Sequence, residues 1–341
     1  MKIESPPLES TGALLSGLIH IKNEEQKQWE SLTLELQVET VTRRPCAITV
    51  DTINTWNFIS SKPTDSKREI LAYPFSYLLS GHLPASNDNA LTRISYSLVA
   101  TGRSVEGDEL RFKKPLTVER SILPGLDRHS VRIFPPTNLS ATIKLPPVVH
   151  PGGNFLFDVR LDGVINKEKK TRWRLRKLNW RIEESARAVS PACKHHSAKL
   201  GGNGKGVMHE DVRTVGAGEA KRGWKSDFES ADGKIELEVL AEIPVHSNAA
   251  CQMETSNGAS VDHVLILEMI VAEEHTPGPN KLVTPTGAAR VLRMQFKLVV
   301  TGRSGLGISW DEEAPPVYEN VPAPPPEYGI PMFQRGISVF G

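Results

Sequence analysis

Cys193, His195, His196 and His209 share one polar stretch, and thiolate and imidazole are the donors that zinc prefers. A structural zinc site needs four donors at closed spacings, and Cys-x-His-His followed by a distant His matches none of them. The run GGNGKG from Gly201 to Gly206 has the small residues of a phosphate loop. It lacks the Gly-x4-Gly-Lys-Ser/Thr spacing and the strand-to-helix setting that such a loop requires. No Gly-x-Ser-x-Gly elbow and no paired catalytic carboxylates occur. A metal-dependent hydrolase built on the His-rich stretch is therefore a remote alternative. The chain is expected to be no enzyme and to need no cofactor or metal.

Two other groups of residues are suited to recognition. Pro315-Pro316-Val317-Tyr318 and Pro325-Pro326-Glu327-Tyr328 repeat one tetrapeptide, beside acidic Asp311, Glu312 and Glu313. Pro-rich segments adopt the polyproline II helix, whose exposed backbone has little entropy left to lose on binding. WW domains hold such prolines between aromatic rings and take a terminal tyrosine in an adjacent pocket. A pair of sites can engage tandem WW modules or raise the effective concentration at one.

The second group is the basic run KEKKTRWRLRKLNWRIEE. It concentrates Lys167, Lys169, Lys170, Arg172, Arg174, Arg176, Lys177 and Arg181 in a chain whose net charge is only +1. Trp173 and Leu175 occupy odd positions, whereas Leu178, Trp180 and Ile182 occupy even ones. A strand cannot change its buried parity without an irregularity, so the spacing predicts a β-bulge at Arg176-Lys177. Arg172, Arg174, Asn179 and Arg181 then point outward together. Such a stripe would meet acidic segments of partner proteins or anionic lipid headgroups, each cation adding about 1 kcal/mol near a charged surface. The bland reading is a solvated face whose arginines pair with nearby carboxylates such as Glu183 and Glu184.

The elements that must carry these groups have a period of two. Leu32, Leu34, Leu36 and Val38 alternate with Thr33, Glu35, Gln37 and Glu39. The same alternation runs through Ile94, Tyr96 and Leu98, through Phe155, Phe157, Val159 and Leu161, through Ile235, Leu237 and Val239, and through Leu292, Met294, Phe296 and Leu298. Many short half-buried strands separated by Pro, Gly, Asn and Asp predict an all-β chain of antiparallel sandwiches. At 341 residues, two domains are expected. The expected organisation is a first sandwich over 1–120, a linker over 121–137 rich in Pro, a second sandwich over 138–310, and a Pro-rich tail over 311–341. The Gly-, Lys- and His-rich stretch 185–232 is expected to be a long irregular loop.

Balanced charge argues against a nucleic-acid binder. No apolar run of roughly 18 residues is present, and the N-terminus lacks the apolar centre of a signal peptide. Three scattered cysteines fit a reducing, cytoplasmic setting.

Long stretches of this chain are similar to one family. ESPPLESTGALLSGLI, YPFSYLLSGHLPAS, VERSILPGLDRHSVRIFPPTNL, DGVINKEKKTRWRLRKLNWRIEE and TPTGAARVLRMQFKLVVTGRSGLGISWDEEAPPVYENVPAPPPEY resemble the fungal arrestin-related trafficking adaptors, or alpha-arrestins, and most of all their low-dye-binding subgroup. The resemblance implies two arrestin-type sandwiches. It implies a non-catalytic adaptor that bridges plasma-membrane transporters to a HECT-type ubiquitin ligase bearing WW domains, so that the cargo is ubiquitinated and endocytosed. Ligase binding carries over to Pro315, Pro316 and Tyr318 and to Pro325, Pro326 and Tyr328. The adaptor would work in the cytoplasm and be recruited to plasma, endosomal or Golgi membranes. Members are usually ubiquitinated themselves, and Lys167, Lys169 and Lys170 are the favoured acceptors here. Many relatives have long phosphorylatable tails, so regulation through the tail is not carried over. A pH-signalling arrestin is the alternative within the same fold.

Overall fold

Alternating apolar residues build nearly every ladder in the molecule. The computed structural model describes residues 1–4, 10–22, 28–43, 46–59, 70–191, 206–255, 258–278 and 282–303. The PPxY tail 311–341 lies outside the described residues, as do Cys193, His195, His196 and most of the GGNGKG run.

The first sandwich is formed by β1 (Lys2–Glu4), β2 (Ala13–Lys22), β3 (Trp29–Arg43), β4 (Cys46–Ile59), β5 (Ile70–Leu79), β6 (Asn87–Asp88), β7 (Thr92–Ser104), β8 (Glu109–Leu116) and β9 (Glu119–Ser121). One sheet has the order β4-β3-β7-β6, with β8 also paired to β7; facing it is the β2-β5 ribbon. Leu32, Leu34 and Leu36 of β3 and Ile94, Tyr96 and Leu98 of β7 are buried between the layers, as their alternation predicts. Trp56 of β4 stacks edge-on against Phe75 of β5 at 5.3 Å, one of the contacts between the two layers. β1 and β9 form a short parallel pair.

The second sandwich follows with β10 (Arg128–Ile133), β11 (Ser140–Leu145), β12 (Asn154–Asp162), β13 (Ile165–Asn166), β14 (Thr171–Pro191), β15 (Gly206–Ala220), β16 (Lys225–Asp227), β17 (Lys234–Glu242), β18 (Met253–Glu254), β19 (Ser260–His275) and β20 (Thr284–Leu298). One sheet runs β10-β11-β12-β17-β16; the other centres on β14 and β19, with β13 and β15 on one flank and β18 and β20 on the other. Phe157, Val159 and Leu161 lie beside Val239, Leu237 and Ile235 on the inner face of one sheet and share the core with Met294, Phe296 and Leu298 of the other. Each such side chain contributes roughly 2 kcal/mol on burial.

The structure corrects two expectations. Within 121–137, only 122–127 lacks strand before β10 begins. The expected loop 185–232 is instead largely a hairpin: β14 continues through Pro191 and pairs with β15 from Gly206 to Ala220. Composition misled here because Gly216 and Gly218 serve close approach rather than flexibility. A Cβ on Gly218 would lie 2.7 Å from the Trp180 ring, and one on Gly216 would lie 2.3 Å from the Glu242 carbonyl oxygen. Only glycine lets β15 pack at both points.

The hairpin also joins the two sandwiches. Ala186 and Ala188 at its far end, with Ala250, Met253 and Val261, belong to the same buried cluster as Ile3, Leu36, Ile94 and Tyr96. After β20 the chain returns to this seam, where the Gly302 N–H and the Thr301 hydroxyl both donate to the Arg120 carbonyl.

Candidate functional site

The basic run begins in the tight turn between β13 and β14. The Lys169 N–H donates to Asn166 Oδ1 at 3.0 Å, and Lys170 adopts φ 53°. The Lys170 carbonyl accepts from the Thr276 N–H and hydroxyl, which ties the turn to the end of β19. Lys167, Lys169 and Lys170 are exposed and have no carboxylate partner among the described residues.

Along β14, Thr171, Trp173 and Leu175 face inward, then Leu178, Trp180 and Ile182 do. The pairing with β19 shifts between Leu175 and Lys177, which is the irregularity that the parity predicts. Arg172, Arg174, Asn179 and Arg181 consequently share the outer face.

Their charge is not free. Glu274 of β19, only 4% exposed, accepts from Arg172 at 3.0 Å, Arg176 at 3.1 Å and Arg174 at 3.5 Å. Arg172 also stacks on the Phe228 ring, 4.5 Å from its centroid. Arg181 donates to Glu183 at 2.8 Å and to Glu268 at 3.3 Å. Lys177 pairs with Glu219 at 2.5 Å, and the bonds from Lys177 and Lys221 hold that carboxyl at about 2. Three guanidiniums around one carboxylate leave surplus positive charge. The Arg174 and Arg176 side chains, 52% and 43% exposed, keep donors facing water, whereas that of Arg172 is 24% exposed.

Glu184, expected as a partner for the stripe, faces the other way. It has the inward parity set by the bulge and is 1% exposed. Arg213 of β15 donates to its Oε1 from two nitrogens at 2.7 Å. The Ala250 N–H donates to Oε2 at 2.7 Å, and His263 Nε2 lies 3.3 Å from the same oxygen. Burial works to raise this carboxyl, but bonds from His263, Arg213 and Ala250 together bring it below its ordinary value. Arg213 further donates to the Ser247 and Asn248 carbonyls. The network therefore fixes the 244–252 segment, and that segment touches the first sandwich through Ala250 and through the Asn87 side chain, which donates to the Cys251 carbonyl at 3.3 Å.

Burial pushes the Cys251 thiol up to about 11, which disfavours a nucleophilic thiolate. His209 sits on β15, and among the described residues no group of three or more His, Cys, Asp or Glu is arranged to hold a metal. No described helix is long and apolar enough to cross a membrane.

Comparison with known proteins decides the family. The family model for LDB19, described as arrestin N-terminal like, matches residues 31–200. A protein of Schizosaccharomyces pombe is 33% identical, across 96% of this chain and 88% of its own length. Protein LDB19 of Eremothecium gossypii is 28% identical across 93% of this chain and 78% of its own length, and Protein LDB19 of Saccharomyces cerevisiae is 26% identical across 81% and 63%. The chain belongs to the LDB19 arrestin-like family. The all-β fold of paired antiparallel sheets agrees with that membership, which supports a trafficking adaptor at a coarse level.

In this LDB19-like chain, Glu274 and the Glu184 network are the residues that sequence reasoning missed. Glu273-Glu274 looks like a solvated strand end, and nothing local says that three arginines from a strand a hundred residues away converge on it. The parity of Glu184 was legible once the bulge was placed, because Ile182, Glu184 and Ala186 share it. Arg172, in contrast, is too tightly bound to Glu274 for charge reversal there to be a clean probe of recognition.

Proposed function

We propose that this LDB19-like chain is a non-catalytic adaptor that recruits a WW-domain HECT-type ubiquitin ligase to plasma-membrane transporters, promoting their ubiquitination and endocytosis. The observation that carries the reading is the pair of PPxY units, Pro315-Pro316-x-Tyr318 and Pro325-Pro326-x-Tyr328, in a chain of arrestin-like family. A WW groove reads prolines and tyrosine, and two copies multiply its effective affinity. The described chain reaches the seam at Arg303, and the first PPxY begins twelve residues further on.

The exposed donors of Arg174 and Arg176 and the unpaired Lys167, Lys169 and Lys170 are where an acidic cytosolic segment or anionic headgroups would meet the second sandwich. The same lysines are the acceptors for ubiquitin on the adaptor itself. The protein works in the cytoplasm and is recruited peripherally to plasma, endosomal or Golgi membranes.

The test is a titration of the full chain with the WW modules of a HECT-type ligase. Replacing Tyr318 or Tyr328 by Ala removes an aromatic anchor worth about 2 kcal/mol, a roughly thirty-fold loss. The double variant should bind worse than either single variant, keep its melting temperature, and leave transporters at the cell surface. Unchanged WW affinity in the double variant would refute the reading.

A further inference from the structure

β8 is an outer strand of the first sandwich. Among the described residues it pairs with β7 over Glu109–Leu116 and with no other strand. The Ser104 N–H donates to the Asp108 carbonyl, closing a hairpin loop that contains Gly107 at φ 92°. In an antiparallel pair, bonded and non-bonded positions alternate. Counted from Ser104 and Asp108, the bonded pairs are Gly102 with Leu110, Ala100 with Phe112 and Leu98 with Lys114. The N–H and C=O groups of Glu109, Arg111 and Lys113 therefore turn away from β7. Pro115, next in that phase, has no N–H and ends the free edge.

The side chains on this edge are unusual for a margin that faces only water. Leu110 and Leu116 pack on the core, yet Phe112 between them is 60% exposed. At the other margin of the sheet, Trp56 of β4 meets Phe75 and Tyr77 of the β2-β5 ribbon. Arg111 and Lys114 are exposed and have no carboxylate partner among the described residues. Lys113 reaches only Glu39, at 3.8 Å, and Arg93 also engages that carboxylate, at 3.2 Å. The arginines of β14, by contrast, are bonded to Glu274, Glu183 and Glu268. Lysine and proline on an outer strand also discourage unwanted pairing. That role does not require an exposed phenylalanine between the cations.

We propose that the β8 edge accepts an extended acidic peptide segment of a partner protein as an added strand. Its backbone pairs with Arg111 and Lys113, its carboxylates meet Arg111 and Lys114 on the two faces of the sheet, and one apolar side chain lies on Phe112. The adaptor reading is needed only to name that partner as cargo; the surface itself rests on β8. A membrane is disfavoured because lipid headgroups make no use of a free backbone edge.

The full chain is titrated with a capped synthetic peptide centred on Glu-Val-Thr-Glu, whose two Glu fall on opposite faces of an extended strand, with its Gln-for-Glu counterpart, with a backbone N-methylated counterpart, and with phosphatidylserine vesicles. The Glu peptide should bind, and Arg111→Glu with Lys114→Glu should weaken it at least roughly tenfold without changing the melting temperature. The Gln and N-methylated peptides should bind at least as weakly. Bound peptide should slow amide exchange at Arg111 and Lys113 but not at Leu110 or Phe112. WW-domain binding should be unaffected by the β8 variant, so failure here is separable from failure of the ligase reading. The proposal is overturned if the Glu peptide does not bind even at low salt. It is equally overturned if the N-methylated peptide binds as well as its parent, or if vesicles bind through Arg111 and Lys114 while the peptide does not.

Discussion

Replacing Glu184 by Ala removes a carboxylate that joins β14, β15, β19 and the 244–252 segment. Its partners are then stranded to different degrees. The Ala250 N–H and the His263 ring are buried, and His263 Nδ1 already has no partner. The Arg213 side chain is 36% exposed and retains the Ser247 and Asn248 carbonyls. Breaking a buried ion pair from one side costs 3–5 kcal/mol, and the residual contacts of Arg213 put this case at the lower end, about 3 kcal/mol. At 2–4 °C per kcal/mol for a domain of this size, the melting temperature falls by roughly 6–12 °C. Calorimetry should also show the transition broaden or divide, because Ala250 and Met253 share a buried cluster with the first sandwich. Hydrogen exchange should accelerate at Ala250 while the ladder amides of β12 and β17 keep their protection. A melting temperature within about 1 °C of wild type, with Ala250 still protected, would show that the network carries no stability and refute the reasoning.

The same carboxylate predicts a pH dependence. Its folded-state pKa is lowered below the ordinary value of 4.5, so its contribution is fully present above that value and is lost as pH falls through the folded pKa. Denaturant midpoints of wild type should therefore drop more steeply on acidification below about pH 4.5 than those of Glu184→Gln. Glu274→Ala should cost about 1–3 kcal/mol, discounted because its arginines are half in water, and should increase binding to anionic vesicles by freeing three guanidiniums; unchanged vesicle binding would count against the stripe. Gly218→Ala forces a Cβ to within 2.7 Å of the Trp180 ring and should destabilise by about 1–3 kcal/mol, measured by urea titration. Mass spectrometry of ubiquitinated adaptor should find the modification on Lys167, Lys169 or Lys170, and a site confined to the first sandwich would reject that choice.

The all-β class was legible because a half-buried strand imposes a period of two that survives in single residues. Leu32, Leu34 and Leu36, or Leu292, Met294 and Phe296, are inward in the structure as in the pattern. The bulge at Leu175–Lys177 was legible for the same reason, since a change of parity between Trp173 and Trp180 has no other remedy. Local alternation therefore determined which side chains face inward. What it could not determine is which strands meet across the layers. The hairpin of β14 and β15 reads as a loop because the stretch is rich in Gly, Lys and His, and glycines such as Gly216 and Gly218 look like flexibility until a backbone or an indole is found against them. The basic run reads as a free stripe until β19 brings Glu274 beneath its arginines. The cations of β8, less conspicuous in sequence, meet few carboxylates: Lys113 reaches Glu39 at 3.8 Å, and neither strand of the facing ribbon carries Asp or Glu. Charge along a chain is a local property, but its neutralisation depends on contacts between residues far apart in sequence, and those are decided only by the packing of the sheets.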